Sequence, residues 1–402
     1  MKHLIFCILI VLAFSQCKQG SKRTAGELVV IDVTKEYPLK RIYLQDVADI
    51  EYIPFGINDS TLMRFSFTRM HVSDNYIVSV NPMSSQGDIL VFDGKGNPKF
   101  SFNNQGQGPE EYNFIGSFAF DEKAKEIFVF SPYSSTPKLL VYAEDGKYKR
   151  TLALPPRFND VKLYNYNDET LLVYDESGVF GVAGTIEQEE YSHKPYMFMS
   201  KADGSIVDTL NTHLPERLSN IAVWDGEREG QPVVFSRGIT ITNNRSFGKD
   251  FVICDWSSDT IYRLTLQREL QPLIVRTPSM PETDPKILIS CFLITDKFLL
   301  LGIHEMDYVA IRNAGGISAK QIIYDFETGE INEYRFINRD ITTSSSVRMW
   351  EATVPGNTGV SMYDVDLLFR LEDNDELTGD LKEVVKALDE DDNPVLMKIK
   401  FH

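Results

Sequence analysis

Two stretches fifty residues apart, ILVFDGKGNPKF (Ile89–Phe100) and LLVYAEDGKYKR (Leu139–Arg150), decide the fold. Set in register, aliphatics fall on aliphatics, Phe92 on Tyr142, Gly96 on Gly146 and Lys99 on Lys149. Each copy is a β-rich run, a glycine turn and a second run, which is the pattern of a β-hairpin. Weaker copies follow in PYMFMSKADGSIVDTL (Pro195–Leu210) and QIIYDFETGEINEYRF (Gln321–Phe336). Between them DTIYRLTLQRELQPLIV (Asp259–Val275) repeats the runs without the glycine. Upstream of each hairpin stands another short β run: NYIVSV, EIFVFS, TLLVYD, DFVICDW and KFLLLGI.

Five units of about 50–60 residues, each with three strands and room for a fourth, are the sequence form of a β-propeller. A blade cannot bury both faces alone, and an unclosed ring would expose flat edges. The segments Glu27–Val33, Asp49–Phe55 and Asn393–Phe401 are strands without a blade. They are expected to meet in a sixth blade shared between the two ends, with Ser361–Leu371 adding another strand. The fold class is therefore all-β: a six-bladed propeller of four-stranded antiparallel blades, closed by N- and C-terminal strands. One short C-terminal helix is expected where Leu377, Leu381, Val384, Val385 and Leu388 recur at helical spacing before Asn393–Pro394. An aromatic content of 11%, with 25 Phe and 18 Tyr, favours the β reading.

The first residues, MKHLIFCILIVLAFSQCKQG, carry Lys2 and then an apolar run from Leu4 to Phe14. That run is short of the roughly 20 apolar residues a membrane-spanning helix needs, and its flanks are those of an export signal. The arrangement resembles the lipobox of bacterial lipoproteins, with Ser15 fitting the pattern and Cys17 as the lipidated residue. The expected organisation is a leader over 1–16, a lipidated tether over 17–26 and one propeller domain over 27–402. This implies an envelope protein, a monomer, held to the outer membrane by its acyl chains alone. The formal charge of −17 argues against nucleic-acid binding.

The span GQGPEEYNFIGSFAFDEKAKEIFVFSPYSSTPKLLVYAEDGKYKR resembles an NHL-type blade. More closely, the chain resembles the six-bladed β-propeller lipoproteins of Bacteroidetes, which carry a G-x-G-P-x-E-Y loop after the first hairpin and end on an acidic helix, N-P-V-L and a last strand. Gly106, Gly108, Pro109, Glu111 and Tyr112 match that loop, and Asn393, Pro394, Val395 and Leu396 match that ending. The resemblance implies the fold and no particular activity.

The GQGPEEY loop fails as a phosphate cradle: it lacks the G-x-x-x-x-G-K-[ST] pattern, and Glu110 and Glu111 would repel the anion. Adjacent carboxylates in an extended segment point to opposite faces, so a glycosidase pair is also disfavoured. It reads as a crossover between blades, with glycines for unusual dihedrals and Glu111 accepting backbone hydrogen bonds. In GIHEMDY, Tyr308 stands where H-E-x-x-H needs its second histidine, so zinc at His304 is not expected. EDNDELTGD matches a calcium loop only at Asp373 and Asp375, and no metal or cofactor is expected, although carboxylates from separate blades could hold calcium in the channel. Cys254 and Cys291 sit in apolar strand contexts, where cysteine is usually a buried small hydrophobe, the alternative being a disulfide between them in an oxidising periplasm.

Two long excursions carry arginine and tryptophan: Asn211–Arg245 with Arg217, Trp224, Arg228 and Arg237, and Arg339–Tyr363 with Arg348 and Trp350. In an acidic protein these are the residues of a ligand or partner surface, the bland alternative being that each tryptophan packs under its own loop. Three functions follow: a non-enzymatic propeller that binds a protein or glycan with one face, a propeller hydrolase or lyase acting on a sugar, lactone or peptide at the channel, and a passive structural lipoprotein. An enzyme would place a metal or a carboxylate–histidine constellation at the channel mouth.

Overall fold

The computed structural model describes residues 28–58, 61–63, 69–80, 87–132, 137–155, 158, 160–176, 194–212, 221–228, 231–238, 245–247, 250–307, 319–343, 346–350 and 352–402, with the backbone alone described between 221 and 247. The expected leader, Cys17 and the tether lie outside these residues.

Five antiparallel sheets of four consecutive strands follow one another along the chain. Blade 1 is Arg69–Val72, Tyr76–Val80, Ile89–Asp93 and Pro98–Phe102. Blade 2 is Ser117–Asp121, Glu126–Ser131, Lys138–Ala143 and Tyr148–Leu152. Blade 3 is Val161–Asn165, Thr170–Asp175, Tyr196–Ser200 and Ile206–Thr209. Blade 4 is Arg245–Phe247, Asp250–Ile253, Thr260–Leu264 and Leu270–Thr277. Blade 5 is Ile287–Ile294, Phe298–Glu305, Lys320–Asp325 and Ile331–Ile337. The first strands face the ring axis, and those of blades 2 and 3 touch, with the Leu163 N–H donating to Ser117 Oγ at 3.0 Å.

The second and third strands of each blade lie between neighbouring blades, which is why EIFVFS and TLLVYD are buried along their whole length while the outer YKRTL alternates. The hairpin glycines Gly96, Gly146, Gly204 and Gly329 all take the left-handed region, with φ from 71° to 85°. The copy without a glycine puts Arg268 there, at φ 67°. Its strain is offset by stacking on Phe198 at 4.5 Å and pairing with Asp208 at 3.1 Å, which ties blade 4 to blade 3.

Closure occurs in blade 6, where Val395–Phe401 pairs antiparallel with Thr358–Tyr363 on one side and with Ala48–Pro54 on the other. Three strands are paired in this sheet, and the Trp350 N–H donates to Val360 O at 2.7 Å beside it. Six buried apolar clusters then occupy the six junctions between neighbouring blades.

Three details differ from the sequence expectation. Of the Glu27–Val33 segment, Val29–Asp32 does not enter blade 6 but adds parallel to the outer strand of blade 4, because Val29, Ile31 and Val33 have an apolar junction to fill between blades 4 and 5. Leu39–Tyr43 adds in the same way to blade 5, so the N-terminal chain passes along the rim of two blades before completing a third. Third, Ser361–Leu371 is strand only to Tyr363. Asp364 caps a helix at Val365–Asp373 by accepting from the Asp366 N–H, so two C-terminal helices rather than one, the second at Gly379–Val385, cover the blade 5–6 junction.

Candidate functional site

The GQGPEEY loop is the crossover from blade 1 to blade 2. Tyr112 is fully buried, its hydroxyl donating to Gly87 O at 2.5 Å and accepting from the Asn104 N–H at 3.0 Å. Glu111 accepts from the Gly108 N–H at 2.7 Å. Neither Gly106 nor Gly108 takes a positive φ, so unusual dihedrals are not the reason for them. A Cβ at Gly106 would stand 1.9 Å from the Glu111 carboxylate, so a side chain there would displace that carboxylate from its place beside the loop backbone. Lys138 and the Tyr142 hydroxyl donate to carbonyls of Gly108 and Glu110, each at 2.6 Å, fastening Pro109 and its neighbours to blade 2.

Of the arginine and tryptophan residues in the excursions, Arg217 lies outside the described residues. Trp224, Arg228 and Arg237 fall in a hairpin, Ile221–Arg228 with Gln231–Gly238, in which Trp224 is opposite Phe235 and Arg237 opposite Ala222. Arg348 is exposed. Trp350 is half-buried and packs against the junction of blades 6 and 1. His304 lies in the second strand of blade 5, buried, with Nε2 2.7 Å from Ser290 Oγ, and burial pushes its pKa down to about 4. Cys254 and Cys291 are buried between blades 4 and 5 and are not joined by a disulfide. Among the described residues no group of three or more His, Cys, Asp or Glu side chains is placed to hold a metal ion.

The structure brings a different set together. Where the first strands turn into the second, a cavity of about 220 Å³ opens at the channel, lined by residues of several blades. His71 and Ser73 come from blade 1, Phe118, Phe120 and Glu122 from blade 2, Tyr164 and Asn165 from blade 3, and Phe251 from blade 4. Thr353 and Pro355 reach it because Ala352–Thr353 runs parallel against the first strand of blade 1.

His71 Nε2 faces Glu122 Oε2 at 3.9 Å, and the imidazole meets Phe120 edge-on at 5.3 Å between centroids. At 3.9 Å there is no hydrogen bond, and Nε2 is buried with no hydrogen-bond partner among the described residues. The Asn75 amide donates to Glu122 Oε1 at 2.7 Å. The facing imidazole, with Asn75 and Ser73, holds the Glu122 carboxyl down to about 2 against the upward push of burial. Two lysines near this mouth have partners among the described residues. Lys201 holds Asp121 and donates to Asn165 Oδ1 at 2.6 Å, and Lys398 pairs with Asp74 at 2.6 Å.

At the other end of the same inner strands the groups are differently matched. Lys162 meets Glu176 at 3.0 Å, Arg69 donates to Gly116 O at 2.6 Å, and burial pushes Asp160 up to about 6 with Lys162 opposing it. The lining at the turn end could have been sought by aligning the first strands RMHV, SFAFD and VKLYN, since one end of each faces one mouth.

Structural comparison finds similar solved structures. A Bacteroides fragilis NCTC 9343 protein whose given name proposes that it is exported is similar with a TM-score of 0.63 at 14% identity, over 93% of this chain and 99% of that one. A member of the DUF4221 family from Bacteroides vulgatus ATCC 8482 is similar with a TM-score of 0.45 at 10% identity, over 89% of this chain and 100% of that one. Virginiamycin B lyase from Staphylococcus aureus gives 0.37 at 10% identity, over 88% and 100%. Among curated proteins no sequence matches the chain. The model of one family, described as a domain of unknown function, matches residues 28–400, and the chain belongs to that family, DUF4934.

Proposed function

We propose that this chain is an exported propeller, lipidated at Cys17, that binds a small ligand or a single projecting group of a partner through one face of its ring. The face is the end where first strands turn into second, and the channel cavity there is the observation that carries the reading. A carboxylate, an imidazole and several aromatic side chains from four blades converge on it. At about 220 Å³ it is smaller than the roughly 300–1,000 Å³ of sites that enclose a drug-sized ligand, which suits a small molecule or one side chain. Export and anchoring rest on the leader and the cysteine that ends it, and the exported name of the Bacteroides fragilis relative agrees with them.

Blocking the cavity tests the reading. Thr353 is exposed at its edge, so Thr353→Trp should fill the mouth while leaving the blades intact. In a thermal-shift screen of small amines, sugars and carboxylates, a cavity ligand should raise the melting temperature of the native protein and not that of the variant. Equal shifts in both would reject the site. Cys17→Ala should move the protein out of the membrane fraction, and unchanged membrane association would reject the anchor.

A further inference from the structure

The walls of the cavity and the carboxylate that lines it narrow the ligand further, on the reading that the cavity is a binding site. Glu122 is ionised at any physiological pH. Among the described residues, Lys201 pairs with Asp121, Lys398 with Asp74 and Lys123 with Asp168, and none of these three pairs with Glu122. What faces Glu122 Oε2 is His71 Nε2, 3.9 Å away and buried without a hydrogen-bond partner among the described residues. A charge partly withdrawn from water calls for a counter-charge, and a neutral ligand would withdraw it further without supplying one.

The remaining walls favour the same sign. Phe118, Phe120, Tyr164 and Phe251 line the cavity, and aromatic faces are electron-rich surfaces that attract cations while burying aliphatic carbon. The nearest carboxylates, Asp74 and Glu122, repel an anion. The whole chain, at −17, raises the local concentration of cations before any contact is made.

We infer that the channel cavity takes an organic ammonium group, seated at Glu122 Oε2 with its aliphatic portion against the aromatic rings. A free alkylamine and a lysine side chain share that chemistry, and the volume accommodates either.

Titration calorimetry on the detergent-solubilised full-length protein tests this, with n-butylammonium, N-acetyl-lysine methylamide, glucose and acetate as probes. Butylammonium should bind and glucose and acetate should not. Lysine amide binding as well would identify a peptide side chain as the source, and its failure beside butylammonium a free amine. Glu122→Gln should weaken ammonium binding at least tenfold, Phe118→Ala several-fold, and the exposed control Glu390→Gln not at all, each variant being checked for native circular dichroism. Should Glu122→Gln lose the native spectrum, Phe118→Ala together with weakening of the native protein's binding by added salt decides the matter. Equal ammonium affinity in native protein and Phe118→Ala, without salt dependence, would overturn the inference. Glucose or acetate binding that is lost in Thr353→Trp would overturn the ammonium assignment and leave the binding site standing, whereas no binding by any probe, with no cavity ligand in the wider screen, would remove both.

Discussion

Gly146 and Gly329 occupy the same place in their hairpins and face different surroundings. Both have positive φ, at 82° and 71°. A Cβ on Gly146 would stand 2.4 Å from the Phe102 ring of the preceding blade, whereas one on Gly329 would meet nothing within 4 Å. Gly329→Ala should therefore cost only the left-handed backbone term, about 1 kcal/mol. Gly146→Ala adds a clash that must displace a packed ring, and about 3 kcal/mol is expected in total. Urea unfolding of the two variants checks this, and equal losses would mean that blade spacing is softer than the close approach implies. The repeat made both glycines visible in the sequence. It could not separate them, because the difference lies in a neighbour one blade away.

At the scale of single elements, the second strand of blade 2 is fixed to its outer strand by charge. Glu126 receives both Arg150 nitrogens, Nη1 at 2.8 Å and Nη2 at 2.7 Å, and pairs with Lys149 as well. Arg150 also donates to Lys201 O at 2.8 Å, linking blade 2 to blade 3. These partners, Arg150 first, hold the Glu126 carboxyl down to about 2, below its usual 4.5. Because the folded value is the lower one, the stabilisation is fully present above about 4.5 and fades as pH falls toward about 2. Glu126→Gln should melt below the native protein at neutral pH, and the two melting curves should converge as pH approaches 2.5. A gap that stays constant from pH 7 to pH 2.5 would contradict the ion-pair origin. The strand itself was legible from EIFVFS, whereas its partner Arg150 is set by the register of two hairpin arms and by the bulge between Val141 and Tyr142.

For the whole molecule, stability depends on closing the ring. Val395–Phe401 is the central strand of blade 6, flanked by one strand from the C-terminal half and one from the N-terminal end. Ending the chain at Asp392 removes both pairings and opens the clusters on either side of blade 6, so no cooperative thermal transition is expected. Deleting residues 28–34 takes away only the rim strand on blade 4, and a cooperative transition at lower temperature should remain. Calorimetry distinguishes the outcomes, and a single sharp transition in the Asp392 truncation would show that five blades close without the sixth.

The sequence by itself determined the repeat, the hairpins and the GQGPEEY crossover, because each is written in local periodicity and turn residues that recur at a fixed spacing, and it implied that Asp49–Phe55 meets Asn393–Phe401 because an unclosed ring would expose strand edges. It pointed to arginine and tryptophan in the excursions, since composition is all that a loop displays before it is folded. Only the tertiary structure decided that Val29–Asp32 belongs to the rim of blade 4, that Trp350 packs on a blade junction, and that His71 of blade 1 faces Glu122 of blade 2 across an aromatic cavity. Those residues lie on separate repeats and none carries a motif. Their chemistry arises from the ring geometry that turns one end of several inner strands toward the same mouth.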